Sequence, residues 1–395
     1  MSEKLTVKNV VNINKSTLSS KENWSTLKYL DTGNITENQI DTLQIFQKGE
    51  KLPSRAKRKV EKGTIIYSTV RPNQKHFGYF DTYSNDLVVS TGFATLDVID
   101  PRVNSKYLYY LLTQNSVISQ LQSIGENSTS SYPSIRPEDI GNLSFMFPDI
   151  DIQNKITNIL SAIDDKIQIN NQINQELEVM AKTLYDYWFV QFDFPDQNGK
   201  PYKSSGGKMV YHPELKREIP EGWGVENVGN LLDKVTKAEK IENNSIEFVG
   251  RIPVIDQSQK YIAGFTNNQN SLIQPQNGHI IFGDHTRVVK YINFDYARGA
   301  DGTQVLISNN ENISNVLLYH MIEDFDLSNY GYARHFKFLK EKLVIVPDKK
   351  ISLQFANKAD VIYKKIRNNI FENQELTQLR DWLLPMLMNG RVKVE

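Results

Sequence analysis

The sequence contains no cysteine, which removes disulfide bridges, thiolate metal ligands and a thiol nucleophile together. Histidine is scarce: His76, His212, His279, His285, His320 and His335 are all there are, and no two form a His-x-x-x-His metal pair. Neither charge sign is in excess, with 46 basic and 46 acidic residues, which argues against a non-specific polyanion binder. A local basic site, or one shared with partners, remains compatible. No window approaches eighteen apolar residues and the first residues contain no signal core, so the expectation is a cytoplasmic chain that does not span a membrane. Also missing are a Gly-x-Ser-x-Gly elbow, a Gly-rich dinucleotide loop, a complete Walker loop and an Asn-Pro-Pro-Tyr run for a flipped base. Ser205-Gly206-Gly207-Lys208 lacks the earlier glycine, and Met209 follows its lysine. Pro195-Asp196 with Lys200, and Pro148-Asp149 with Lys155, read as turns or helix starts rather than nuclease fragments. No catalytic residue, metal site or cofactor site is expected in this chain.

What is present is a duplication. Residues 163–177 (IDDKIQINNQINQEL) recur 199 positions later as 362–376 (IYKKIRNNIFENQEL), gapless and identical at eight of fifteen positions. Pro148 and Pro347 keep the same offset. Both copies are helical by period. In the first, heptad position a holds Ile156, Ile163, Asn170, Leu177 and Leu184. Position d holds Ile159, Lys166, Ile173, Met180 and Tyr187, and e holds Leu160, Ile167, Ala181 and Trp188. In the second, Phe355, Ile362, Asn369, Leu376 and Leu383 fall at a, with Leu379 and Met386 at d. A stripe this long suits a helix that pairs with another long helix. Asn170 and Asn369 share one a position, where a lone Asn fixes register and orientation, so a mutual or near-mutual pairing in an antiparallel hairpin is expected. Forty residues of helix span roughly 60 Å.

The blocks outside the helices are strand-like, with runs such as Gly63-Thr-Ile-Ile-Tyr-Ser, Asp86-Leu-Val-Val-Ser and Gly278-His-Ile-Ile-Phe-Gly between turn residues. They echo each other weakly: Val7–Val10 with Val225–Val228, Gly63–Tyr67 with Gly278–Phe282, Leu108-Tyr109 with Leu318-Tyr319. The predicted fold class is mixed α/β: two globular heads joined by two long antiparallel, coiled-coil-like helices, with a pseudo-twofold internal repeat. The predicted boundaries are a first head at 1–147, a central helix at 148–190, a Gly/Pro/Ser/Lys-rich connector at 191–222, a second head at 223–346 and a C-terminal helix at 347–395.

Three clusters suit nucleic acid. Residues 51–62 (KLPSRAKRKVEK) are the densest basic run; Arg55, Lys57 and Arg58, with Arg71 and Lys75 shortly after, are candidates for phosphate contact, the sequence-independent part of DNA affinity. Asp284, His285, Thr286 and Arg287, with Thr303 and Gln304 after Gly299-Ala300-Asp301-Gly302, supply the donors and acceptors that base edges need, and the glycines allow close backbone approach. Small-molecule pockets use the same residue types. Asn127–Arg136 corresponds roughly to Asn329–Lys337, each with an aromatic and an arginine (Tyr132 and Arg136; Tyr332 and Arg334) before the proline that opens a helix.

The order of these parts resembles the specificity subunit of type I restriction–modification systems across essentially the whole chain. The stretches that carry the likeness are PSRAKRKVEKGTIIYSTVRP (53–72), WFVQFDFPDQNGKPYKSSGGKM (188–209), EIPEGW (218–223), IIFGDHTRVVKYINFDYARGADGTQVL (280–306) and the two NQEL helices. The resemblance implies a non-catalytic chain with two target-recognition domains, each reading half of a split site on double-stranded DNA. It implies helices that set the half-site spacing and dock two methyltransferase subunits, with restriction (motor) subunits completing the enzyme. The methyl donor AdoMet, ATP and Mg would then belong to the partners. A coiled-coil scaffold that binds proteins only, and a nuclease or methyltransferase with an unrecognised site, are the competing readings.

Overall fold

The computed structural model describes all residues except 1, 20, 21, 83, 234, 236, 237, 248, 301, 329, 330, 332, 333, 393 and 395. The chain divides into two compact units, residues 1–167 with 375–395, and residues 168–374.

In the first unit β1 (Glu3–Thr6) pairs antiparallel with β12 (Ser144–Phe147), Glu3 opposite Phe147. After α1 (Val7–Val10) comes a sheet ordered β2 (Val11–Ile13), β11 (Phe93–Val98), β8 (Ile65–Ser68), β9 (Phe77–Tyr79). A second sheet runs β6 (Gln44–Gln47), β3 (Thr26–Leu30), β10 (Leu87–Ser90), β7 (Ala56–Lys59); β3 and β10 are parallel and the other pairs antiparallel. The short hairpin β4 (Ile35–Thr36) and β5 (Gln39–Ile40) lies in the β3–β6 connection. β8 and β10 are buried at every position, as expected of strands covered on both faces. α2 (Ser105–Leu112) starts where Asn104 accepts the Tyr107 N–H at 2.9 Å, and α3 (Asn115–Glu126) and α4 (Pro137–Gly141) follow. Ile65, Leu96, Tyr107, Leu108, Leu111 and Leu112 meet the long-helix residues Ile156, Leu160, Leu384 and Leu387 in one core.

The second unit repeats this plan. β15 (Gly224–Asn227) pairs with β24 (Leu343–Val346), Gly224 opposite Val346. One sheet is ordered β16 (Leu232–Asp233), β23 (Thr303–Ser308), β20 (His279–Gly283), β21 (Val289–Ile292). The other is β18 (Gly264–Thr266), β17 (Ile252–Ile255), β22 (Tyr296–Arg298), β19 (Leu272–Ile273), with only β17–β22 parallel. α6 (Asn315–Ile322) and α7 (His335–Lys340) precede β24. Strand order and pair direction match the first unit throughout, so Glu3 is equivalent to Gly224, Ile66 to Ile281, Thr95 to Val305 and Phe147 to Val346. The register corrects one sequence match: Val7–Val10 corresponds to Val228–Leu231, not to Val225–Val228.

The long helices α5 (Ile150–Tyr185) and α8 (Lys349–Met388) each contribute a part to both units. At 36 and 40 residues they are about 54 and 60 Å long. They are antiparallel within each unit: Arg380 meets Asp164 at 3.1 Å in the first, while in the second Asn170 meets Asn373 and Asn174 meets Asn369. The expected heptad seam is half right. Positions a and e are buried (Ile156, Leu160, Ile163, Ile167, Asn170; Phe355, Ala359, Ile366, Asn369), but d residues Ile159, Met180 and Leu379 are 38, 58 and 45% exposed. Each helix packs on its unit's globular core as well as on the other helix, which turns the buried face from d toward e. An apolar d stripe is left at the surface.

The 191–222 stretch, expected as a connector, is folded. Phe192 and Phe194 are buried, Phe194 stacks on Tyr202 and Trp223 at 4.7 and 4.9 Å, and β13 (Met209–His212) pairs with β14 (Arg217–Pro220). Its glycines and prolines serve turns around an aromatic cluster rather than slack. Among the described residues no helix is long and apolar enough to cross a membrane, and no three His, Cys, Asp or Glu residues form a metal cluster.

Candidate nucleic-acid interface

The strongest site evidence is a turn that the two units hold in the same way. In the first unit it joins β8 to β9 (69–76). Its first residue, Thr69, donates its N–H to the Gly92 carbonyl at 2.9 Å and accepts the Ile135 N–H at 2.9 Å. In the second unit the turn joins β20 to β21 (284–288). Asp284 donates its N–H to the Gly302 carbonyl at 2.7 Å and accepts the His335 N–H at 2.9 Å. One backbone scaffold therefore presents two different turn sequences, Thr-Val-Arg-Pro and Asp-His-Thr-Arg.

In the first turn Arg71 is left-handed (φ 47°) and exposed, its guanidinium 5.7 Å from the centre of the Tyr132 ring. An Arg beside a 41% exposed Tyr offers both a phosphate or base-edge donor and a stacking surface. Lys75 is less available. It is half-buried and ion-paired with Glu37, and the neighbouring His76 ring nitrogen meets the Ile35 carbonyl at 2.5 Å. Arg55 sits just before β7, its carbonyl accepting the Thr91 N–H at 2.9 Å, next to the Gly92 that anchors the turn. Arg55 and Lys57 are exposed; Arg58 is half-buried, and its Nε is buried without a partner among the described residues. Arg136 is 80% exposed with Asp139 at 3.4 Å, a pair too solvated to neutralise it. The basic strand has no counterpart in β19, whose residues are Leu272 and Ile273.

In the second turn His285, Thr286 and Arg287 are exposed, and Arg287 is left-handed (φ 63°). The Thr286 hydroxyl donates to the Gln257 carbonyl at 2.6 Å, and the Gln257 side-chain oxygen accepts the His285 N–H at 3.1 Å. The flanking glycines make room within the turn itself: a Cβ on Gly283 would strike Thr286 Oγ1, and one on Gly302 (φ 67°) would lie 2.6 Å from Gln257 Nε2. Two predicted contact residues are corrected. Asp284 is 4% exposed and turned inward, its carboxylate accepting the Phe336 N–H at 2.8 Å at the start of α7. Thr303 is 5% exposed and bonds the Ala300 carbonyl. Both hold the turn from behind. Gln304 is half-buried opposite Phe282 on β23, and Arg334 is exposed at the head of α7. Asp301 and most of 329–333 lie outside the described residues. Sequence reasoning missed Gln257, whose short polar loop gives no signal of its role.

Asn170 and Asn369 are both 1% exposed, but they do not bond each other. Asn170 Nδ2 donates to Asn373 Oδ1, and Asn369 Nδ2 to Asn174 Oδ1, each at 2.8 Å. These two bonds are equivalents under the repeat.

Residues 2–179 match the family model described as the type I restriction modification DNA specificity domain. The chain is 25% identical over 442 residues to the type I restriction enzyme HindI specificity subunit of Haemophilus influenzae, covering 92% of this chain and 94% of that one. It is 26% identical over 396 residues to the MjaIX specificity subunit of Methanocaldococcus jannaschii, covering 93% and 84%. The chain is thus similar to type I specificity subunits along most of its length, and the family model itself matches its first part. A solved S subunit from M. genitalium shares the fold, with a TM-score of 0.53 at 16% identity over 98% of this chain and 96% of that one. The repeated topology supplies the same frame twice. What differs is the chemistry on the turns.

Proposed function

We propose that this chain is the non-catalytic DNA-specificity subunit of a type I restriction–modification complex, each unit reading one half of a bipartite site on duplex DNA. The observation that carries this reading is the pair of equivalently anchored turns bearing unlike residues, Arg71 with Tyr132 in one unit and His285, Thr286 and Arg287 in the other. Arg55, Lys57 and Arg58 serve phosphate contact, which fixes position without choosing sequence. The long helices fix the gap between half-sites, with the crossed Asn pairs setting their register. The exposed d residues Ile159, Met180 and Leu379 offer apolar surface for two methyltransferase subunits. Restriction subunits, AdoMet, ATP and Mg complete the enzyme on the partner side.

The test is a genome-wide map of base methylation in cells carrying the methyltransferase partner, with and without this chain. A gapped two-part motif that appears only with the chain is the expected result, and Arg287→Ala should relax one half of it alone. Loss of both halves to the same degree would refute the assignment of that turn, and absence of any chain-dependent motif would refute the function.

A further inference from the structure

Lys290 lies mid-strand in β21 and is 4% exposed, an unusual place for an amine. Its Nζ donates to the Asp256 carbonyl at 2.9 Å and the Lys260 carbonyl at 2.5 Å, bracketing the loop that follows β17. Its nearest carboxylate, Asp256, stands 3.9 Å away, too far for a direct hydrogen bond. Between the two bracketed carbonyls lies Gln257, which holds His285 and Thr286 through its side chain and its carbonyl. Gly283 and Gly302 leave room for Gln257 against the turn. The hydrogen bonds thus run from a buried ammonium, through one loop, to the exposed turn.

The first unit solves the same problem differently. In the equivalent register, Ile281 faces Lys290 and Ile66 faces Gly78. A Cβ on Gly78 would lie 2.7 Å from Ile35 Cδ1, because the β3–β6 loop fills that space. The loop is held without a buried charge: the Asn38 N–H donates to the Phe77 carbonyl at 2.9 Å, the Asn38 side-chain Oδ1 accepts the Tyr79 N–H at 2.8 Å, and Glu37 pairs with the half-exposed Lys75. Both units therefore clamp a loop over the edge strand beside the turn. Only the second does so with a buried charge, whose desolvation works against folding.

We infer that Lys290 is a positioning residue for half-site recognition by the second unit, clamping Asp256–Lys260 so that Gln257 holds the His285–Arg287 turn in its reading shape. The inference rests on the reading of that turn as DNA-contacting. A buried polar group that costs stability persists where it fixes a functional geometry.

The experiment uses the whole chain with its methyltransferase partner on a randomised duplex library, scoring base preference at each half-site beside thermal melting. Lys290→Met is expected to lower discrimination at one half-site about tenfold, leave the other half-site intact and melt no lower than wild type. Gln257→Ala, at the far end of the clamp, should give the same one-sided loss, and Lys290→Arg should restore part of it. Unchanged discrimination in Lys290→Met, or a lowered melting point with both half-sites degraded, overturns the inference. If His285→Ala with Arg287→Ala leaves that half-site unchanged, the DNA-contacting reading of the turn fails instead.

Discussion

Removing the crossed asparagines one at a time should give unequal costs, although the repeat makes them equivalent. Asn170 Nδ2 donates to both Asn373 Oδ1 and Glu372 Oε2 at 2.8 Å, while Asn369 Nδ2 is bonded to Asn174 Oδ1 and its own Oδ1 is buried with no partner among the described residues. Asn170→Ala therefore strips a donor from two acceptors, a loss of about 2 kcal/mol at a site 1% exposed. Asn369→Leu loses one bond but removes an orphaned acceptor and adds apolar contact, so its net effect is roughly zero. A double-mutant cycle of Asn170→Ala with Asn373→Ala should show a coupling of about 1 kcal/mol, because the second change removes the acceptor the first one abandoned. Denaturant unfolding of the whole chain supplies these numbers. Methylation of sites whose gap is one base pair too long or too short supplies the functional half, and it should rise in the double variant as register loosens. Equal costs for Asn170 and Asn369, or a coupling near zero, would refute the seam argument. A destabilised variant with unchanged gap tolerance would confine the pairs to a structural role.

The remaining predictions concern each unit separately. Arg380→Ala should destabilise the first unit by about 2 kcal/mol, because among the described residues Asp164 would keep the Tyr110 hydroxyl at 2.6 Å but lose its cationic partner; hydrogen exchange should place the loss in residues 1–167 and 375–395. Asp284→Ala should cost about 1–2 kcal/mol through the lost cap on α7 and relax one half-site, whereas an intact half-site would return Asp284 to a purely structural role. Lys57→Gln should lower the slope of log affinity against log salt by about 1 without changing the motif; a changed motif would make Lys57 a base reader. Burial lowers the Lys290 amine from its ordinary 10.5 to about 8, so between those pH values the unfolded chain binds more protons than the folded one. The folded state is penalised below pH 8, by at most about 3 kcal/mol since the two carbonyl acceptors offset part of the desolvation. The penalty fades toward pH 10.5. Lys290→Met lacks this dependence, so the stability gap between it and wild type should narrow across that window, and a constant gap would refute the assignment.

Local chemistry decided which features could be read from residues. The duplicated helices were visible because Asn170 and Asn369, and the NQEL tetrads after them, recur without a gap, and helical period places such residues on one face. The burial of a but not d was invisible, because a heptad string does not record that Ile156 and Phe355 must also face a globular core; only the a/e face serves both neighbours. The basic strand and the Gly-flanked turn were legible as charge and flexibility. The inward aim of Asp284 was not, since an Asp after a strand caps a helix or meets solvent with the same letter. Gln257 and Lys290 are the extreme case: an amide and an amine, thirty-odd residues apart, acquire a role only when β17 and β21 bring the loop over the turn. The topology therefore fixes where each unit presents its turn, and divergence is confined to what the shared frame leaves free. The second unit has Lys290 where the first has Gly78, so the two differ in how the turn is braced as well as in what it displays. It follows that transplanting the 284–288 turn alone into the 69–76 site should fail to transfer recognition, and that transfer requires its 256–260 loop and Lys290 with it.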